Sequence, residues 1–313
     1  MNGDFRSLKF ICPRCSAALP YWTSGSQTCP ACQAEYTIRD NIYHFLLPER
    51  QREIAPFLAQ YRTVREKDGY RPPTAAYYQA LPEVNRRNPQ ADTWRVRRAS
   101  FENLKRLLWR GLSSPRVPGR LESLPLRLSI LDLGAGNGWL SNRLSGMGHH
   151  CVAVDWLDDE QDGLGARRFY STDFLCAQAD YDQLPFAPAQ FDAVIFNASL
   201  HYADDVAASL ARARRMLAPG GLLAIMDSPT FRSERAGRRM VAEMEERFVT
   251  KYGLARLAKQ GAGYLTPQAL GAGWRFIPSR GDAGWEARRI LAAVKNRRES
   301  ALFGVWVYLN RFD

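Results

Sequence analysis

Residues 128–138 read LSILDLGAGNG, an apolar run that ends in a turn carrying three glycines, and the helical stretch Trp139–Met147 follows. A strand that feeds a glycine-rich turn and then a helix forms a nucleotide-type binding site. The free N–H groups of the helix start and the bare glycine backbone let a ligand approach closely. Two familiar versions are excluded by detail. The dinucleotide fingerprint needs a further glycine at position 139, where this chain has Trp139, and no Lys-Ser or Lys-Thr pair follows the glycines as a phosphate-binding loop requires. Instead Asp132 stands two residues before Gly134. A carboxylate there suits a cationic ligand better than a pyrophosphate.

The pattern continues downstream. His150–Asp155 reads as a second strand and ends in an acid, QADYDQLPF occupies 178–186, and Phe191–Phe196 reads as a further strand followed by Asn197-Ala198-Ser199-Leu200-His201-Tyr202. Helical spacing over Asp204–Leu217 puts Val206, Leu210, Ala213 and Leu217 on one face, with Asp204 and Asp205 at the positive end and Arg214 and Arg215 at the negative end. Pro219-Gly220-Gly221 is expected to stop that helix before the strand GLLAIMD. Apolar strands alternating with helices imply an α/β fold, a parallel sheet with helices on both faces.

A phosphate-free nucleoside bearing a sulfonium and an ammonium, S-adenosylmethionine, meets these requirements. Across residues 128–227 the chain resembles the class I S-adenosylmethionine-dependent methyltransferases, in particular the ubiquinone and menaquinone ("type 11") branch. The resemblance implies a doubly wound, mostly parallel, seven-stranded Rossmann-like sheet whose final strand is antiparallel. It implies that Asp132, Gly134, Ala135 and Gly136 cradle the cofactor and that Asp155 takes the ribose hydroxyls with Trp156 beside the adenine. Asp180 then accepts from the adenine amino group next to Tyr181, which stands where the family has a small residue, and Asn197 opens the floor of the reaction site. The product is S-adenosylhomocysteine. His201, whose ordinary pKa suits proton transfer, is the candidate base, with Tyr202 and Asp227 behind it.

Near the start, Cys12-Pro13-Arg14-Cys15 and Cys29-Pro30-Ala31-Cys32 are separated by thirteen residues. Two such knuckles supply the four thiolates of a closed tetrahedral zinc site, structural because no position stays open. Metal binding should supply much of the folding energy of so short a segment. Residues 8–48 resemble the zinc ribbons of rRNA guanine-N1 methyltransferases and the ribbon proteins that activate translation-factor and tRNA methyltransferases. His44 lies outside the knuckle spacing and is read as a packing residue. Cys151 and Cys176, isolated in apolar runs, are read as small core residues.

The expected organisation is a ribbon at 1–48, a helical lid and linker at 49–127 and a methyltransferase domain at 128–313 with a substrate insert at about 228–273. The lid contains a helix over Trp94–Trp109 whose apolar face is Trp94, Phe101, Leu104 and Leu108, then a linker marked by Pro115, Pro118 and Pro125. Tyr70, Tyr77 and Tyr78 are candidates to line a substrate pocket. Ser233–Tyr252 reads as an amphipathic helix, 261–273 as a glycine-rich insert, and Trp274–Ile277 and Ala301–Leu309 as last strands flanking a basic helix at Trp285–Ser300. Hydrophobic residues make up 46% and charged residues 24%, ordinary for a globular chain. No apolar run approaches the roughly 20 residues of a membrane helix, and MNGDFRSLKF lacks an apolar leader core. The expectation is a cytoplasmic protein without membrane insertion, its oligomeric state open.

Lys and Arg total 43 against 32 Asp and Glu, and residues 51–128 carry 16 of the basic groups against 7 acidic ones. Such a patch points to an acidic partner, although the dominance of Arg also fits a compositional bias. Three functions follow. The leading one is methylation of a small metabolite or biosynthetic intermediate; the alternative is methylation of an RNA base through the ribbon and the basic segment; the third is a cofactor-binding protein without turnover.

Overall fold

The computed structural model describes residues 5–71, 74–112, 127–254, 261–279, 283–296 and 299–310. The linker prolines Pro115, Pro118 and Pro125 lie outside them. The chain opens with β1 (Phe10–Ile11), β2 (Ala18–Leu19), β3 (Gly25–Thr28), β4 (Glu35–Arg39) and β5 (Ile42–His44), then α1 (Pro48–Lys67), α2 (Ala75–Ala80) and α3 (Ala91–Leu112). The core follows as β6 (Ser129–Leu133), α4 (Trp139–Gly146), β7 (His150–Asp155), β8 (Leu175–Gln178), β9 (Phe191–Asn197), α5 (Val206–Met216) and β10 (Leu217–Met226). It closes with α6 (Glu234–Arg247), α7 (Pro267–Leu270), β11 (Arg275–Pro278), α8 (Ala283–Asn296) and β12 (Gly304–Leu309).

Among the described residues, ten strands form one sheet in the order β11-β12-β10-β9-β6-β7-β8-β5-β4-β3. Seven of them, β6 to β12, are the expected core: β8, β7, β6, β9 and β10 run parallel, and β12 is antiparallel to both neighbours. The other three come from the N-terminal segment. Here β5 pairs in parallel with β8, placing Ile42 opposite Cys176 and His44 opposite Gln178. The ribbon therefore continues the core sheet instead of standing apart from it, and His44 Nδ1 lies 2.7 Å from Gln178 Oε1 across the seam.

Strand alternation sends successive side chains to opposite faces. Leu131, Leu133, Val152, Val154 and Phe196 join one core with α5 and the ribbon aromatics Phe10, Tyr43 and Phe45. Ile130, Cys151, Ala153, Cys176 and Ile195 join the other with α3 and α4. Both cysteines are fully buried, and burial pushes their thiols up to about 12, so they are apolar fillers. The anticipated face of α3 packs inward through Trp94, Phe101, Leu104 and Leu108. One local expectation is corrected. Pro219-Gly220-Gly221 lies inside β10, where the register against β9 shifts between Leu217 and Leu222, so the three residues form an irregularity that rejoins the strand and not a break before it.

Candidate active site

The glycine turn is held from behind. Gly134 N–H and Ala135 N–H both donate to Val154 O, at 2.8 and 3.0 Å. Gly134 has φ +70°, and a Cβ there would fall 2.1 Å from Ser199 Cβ, because Ser199 crosses the turn to donate its hydroxyl to Leu133 O at 2.6 Å. Only glycine fits. Asp155 closes the far side, accepting from Gly136 N–H and Leu157 N–H, each at 2.8 Å.

Gly134, Ala135, Gly136 and Asp155 are thereby brought together with Trp156, Tyr181 and Asn197 around a cavity of about 90 Å³. Three of its lining residues carry buried polar atoms without partners among the described residues: Asn197 Oδ1, Trp156 Nε1 and Tyr181 Oη. Buried polar groups normally find partners, and an acceptor, an indole N–H and a hydroxyl around a bare glycine turn fit a nucleoside with a cationic tail.

Two of the anticipated residues stand apart from this lining. Asp132 points to the α4 side of the sheet, where its Oδ2 accepts from Ser141 Oγ at 2.9 Å and its Oδ1 has no partner among the described residues; burial raises its carboxyl to about 7. Asp180 accepts from Arg50 Nε at 2.6 Å and from Asp182 N–H at 2.8 Å. Arg50 belongs to α1, and its guanidinium also sits 5.2 Å over the Trp156 ring, which stacks on Tyr181 with centroids 5.7 Å apart.

The same helix α1 roofs the cavity. Phe57 meets Trp156 edge-on at 6.2 Å, and Arg65 grips Asp162 through two 2.6 Å bonds. Arg62 and Arg71 pair with Asp159 at 3.9 and 2.9 Å. Along α3, Arg95, Arg98 and Lys105 pair with Asp92, Glu83 and Glu102. Six basic side chains of the segment 51–128, Arg62, Arg65, Arg71, Arg95, Arg98 and Lys105, thus pair with carboxylates of this chain.

Beyond Ala198 and Tyr202 lies a second cavity of about 510 Å³, the size of a small-molecule site. Its walls are largely apolar: Phe57 and Val64 from α1, Val96 from α3, Val241 and Met244 from α6, and Phe303. Gly261 to Gly263 complete the rim, so the glycine-rich insert faces this space. Tyr70, Tyr77 and Tyr78 do not line it. Tyr78 is fully buried and stacks on Phe169 at 4.4 Å, Tyr77 meets Tyr78 and Trp94, and Tyr70 lies under the Arg65 guanidinium at 3.6 Å. They are packing groups of the segment that carries α1, α2 and α3.

The larger cavity also has polar side chains in its walls, among them Gln60, Arg65, Asp92, Arg97, His201 and Asp227. His201 is buried, with Nδ1 3.2 Å from Ser228 Oγ, and burial together with the nearby Arg97 charge lowers it to about 3. Asp227 accepts from Ser100 Oγ through one oxygen, its other oxygen has no partner among the described residues, and burial raises it to about 6. Arg97 lines both cavities and stacks over Trp94 at 4.8 Å. Sequence reasoning passed over Phe57, Tyr61, Arg65 and Arg97. The readable trace of Arg97 was the second stripe on α3, Thr93, Arg97 and Ser100, at helical spacing beside the apolar face.

At the other end of the molecule the four knuckle sulfurs lie within 4.8 Å of one another, with Cys12 Sγ to Cys32 Sγ and Cys15 Sγ to Cys29 Sγ both 3.6 Å. Ligands at about 2.3 Å in a tetrahedron stand about 3.8 Å apart, so the set fits zinc. The knuckles repeat each other. Ser16 and Gln33 have φ +61° and +60° and donate to Cys12 O and Cys29 O, while Cys12 N–H and Cys29 N–H donate to Ala17 O and Ala34 O.

Comparison with known proteins bears on the core. Residues 131–225 match the methyltransferase domain family. An uncharacterized methyltransferase of Mycobacterium bovis is 34% identical over 97 residues, 31% of this chain and 49% of that protein. A demethylmenaquinone methyltransferase of Corynebacterium urealyticum is 37% identical over 124 residues, 39% of this chain and 49% of that one. The chain spans about half the length of the curated relatives it matches. A crystal structure of Burkholderia thailandensis 1,6-didemethyltoxoflavin-N1-methyltransferase, with its substrate and S-adenosylhomocysteine bound, aligns over 92% of this chain and all of that one at 17% identity and a TM-score of 0.42. The methyltransferase domain match spans β6 through β10, the strands that build the glycine turn and the cavity floor. The sheet around it has the Rossmann-like methyltransferase architecture.

Proposed function

We propose that this chain is an S-adenosylmethionine-dependent methyltransferase acting on a small, largely apolar acceptor. One observation carries the reading: the cavity above the glycine turn and the 510 Å³ cavity share the walls Phe57, Tyr61, Arg65, Arg97, Ala198 and Tyr202. A donor in the first and an acceptor in the second meet across Ala198. S-adenosylmethionine supplies an electrophilic methyl group on a sulfonium. Gly134 to Gly136 would hold its methionine end, with Asp155, Trp156 and Tyr181 around the nucleoside. The chain's contribution is orientation and exclusion of water, achieved by α1 over both cavities.

The relatives named for demethylmenaquinone and 1,6-didemethyltoxoflavin act on small molecules, which supports the same class here. Pairing of the basic segment with internal carboxylates weighs against an RNA acceptor. The four cysteines are assigned to one structural zinc, and 228–273 to the acceptor wall. Isothermal calorimetry is the test: the purified protein should bind S-adenosylhomocysteine with micromolar affinity that changes little between 50 and 300 mM salt. Failure to bind it ends the reading, and RNA binding that falls steeply with salt favours the nucleic-acid alternative.

A further inference from the structure

Helix α8 supplies no strand to the sheet, and no described residue of it lines either cavity. It lies in the connection between β11 and β12. Antiparallel neighbours can be joined by a turn of two residues, yet here residues 279–303 intervene between the paired Pro278 and Gly304. The register fixes where this excursion leaves the fold. Val305 pairs with Met226, and Asp227 N–H donates to Gly304 O at 3.1 Å. Helix α8 therefore rises from the end of the sheet where β6, β9 and β10 deliver Gly134, Ala198 and Asp227. The chain returning from it carries Phe303, a wall of the larger cavity.

Along α8, Ala287, Ile290, Leu291 and Val294 recur at helical spacing and so share one face. That face is bare. Ile290 is 59%, Leu291 67% and Val294 70% exposed, and they are three of the seven large apolar side chains that stand exposed among the described residues. Such a stripe marks a contact surface. Charge names what covers it. Residues 283–298 hold Arg288, Arg289, Lys295, Arg297 and Arg298 against Glu286 alone, a net charge of +4, and Lys295 is exposed beside Val294. An apolar stripe on a strongly basic helix is the pattern of a helix lying in the plane of an anionic membrane. With 14 residues at about 1.5 Å each, α8 falls short of the ~30 Å needed to cross the hydrocarbon.

Other occupants fit less well. A second copy would set like charges against each other, and four side chains over two turns fall well short of the ~800 Å² per partner that specific interfaces bury. A nucleic acid would meet the charge and leave Ile290, Leu291 and Val294 in water. We propose that α8 docks the protein on an anionic lipid bilayer. Ala287, Ile290, Leu291 and Val294 enter the interfacial region, and the net positive charge of 283–298 draws the helix to the headgroups. Docking sets the cavity-bearing end of the sheet against the lipid. The contact is shallow and needs both parts: salt screens the charge, and the stripe alone is small. It involves no cofactor, so it stands or falls separately from the methyltransferase reading.

The test is flotation of the full-length, zinc-loaded protein with vesicles of phosphatidylcholine, alone or with about one-third phosphatidylglycerol. Wild type should float with the anionic vesicles at low salt, lose at least about tenfold in bound-to-free ratio at high salt, and stay behind with phosphatidylcholine alone. Leu291→Glu and Val294→Glu change side chains that already face solvent. Both should keep the wild-type melting temperature and lose at least about tenfold in affinity for the anionic vesicles. Met147→Glu, at an exposed apolar position ahead of β7 and so at the opposite end of the sheet, should lose none. Hydrogen exchange read by mass spectrometry should show 287–294 protected when anionic vesicles are added. Wild type that ignores these vesicles overturns the proposal. Vesicle binding that survives Leu291→Glu and Val294→Glu overturns it too, by leaving charge alone as the cause. So does a dimer in sedimentation equilibrium that Leu291→Glu abolishes, which would make a second copy the occupant of the stripe.

Discussion

Three carboxylates sit inside the protein at strand ends, Asp132, Asp155 and Asp227, and burial raises them to about 7, 6 and 6. Each therefore keeps its proton in the folded chain at pH values where the unfolded chain, with carboxyls near 4, has lost it. Stability of the ligand-free protein then has these contributions in full below about pH 4 and loses them as pH rises through 6 and 7. Asp132 dominates because, among the described residues, Ser141 is its only hydrogen-bonding neighbour and its second oxygen has none. Asp132→Asn, which mimics the protonated group, should flatten the profile: between pH 5 and 8 the wild-type melting temperature should fall several degrees further than the variant's in scanning calorimetry. Equal slopes would remove Asp132 as the source. A cationic ligand should steepen the contrast in the opposite sense, since a positive charge favours the ionised forms.

Helix α1 joins what the sequence presented as separate parts. Its Arg50 reaches Asp180, its Arg65 reaches Asp162 and its Phe57 meets Trp156, so one helix touches both cavities and the Trp156 side of the turn. Because α1 roofs the space above the glycines, ligand entry is expected to depend on how firmly α1 is held. Arg65→Met removes the grip on Asp162, whose side chain is 1% exposed, and leaves a buried charge unpaired. Such losses cost about 3–5 kcal/mol when burial is complete. The expected outcome is a lower melting temperature and faster association of S-adenosylhomocysteine, read by stopped-flow fluorescence of Trp156. An unchanged association rate would mean that α1 does not gate the site. The strands and the glycine turn were legible because apolar runs and Gly134, Gly136 and Gly138 mark themselves within a few residues. The roles of α1 were not, since Arg65 and Asp162 are 97 residues apart and nothing local singles out that arginine from its neighbours. Aromatic richness likewise pointed to Tyr70, Tyr77 and Tyr78, whereas the direction each ring faces depends on helices that pack against them only in the fold. Arg97 was hidden between the exposed Arg95 and Arg98.

For the whole molecule the ribbon decides how the sheet ends. Among the described residues no helix is long and apolar enough to cross a membrane, and the sheet's β8 side is covered by β5, β4 and β3. The aromatic seam of Phe10, Tyr43, Phe45 and Phe186 holds them there. Stripping the metal with a strong chelator, or Cys29→Ser, should loosen the knuckles, bare the β8 edge and lower the melting temperature by well over 5 °C. Aggregation should follow, because an exposed strand edge recruits others. Elemental analysis finding no zinc in reduced protein, or a melting temperature indifferent to chelation, would contradict the assignment. Parallel pairing of β5 with β8 also dictates an order of events during synthesis. His44 leaves the ribosome 134 residues ahead of Gln178, the residue it must meet. Until then the N-terminal strands have an open flank and no neighbour, and final docking of the two ends is a late, long-range closure. Under the proposed zinc assignment, a nascent chain starved of the metal would arrive at that closure with nothing to dock.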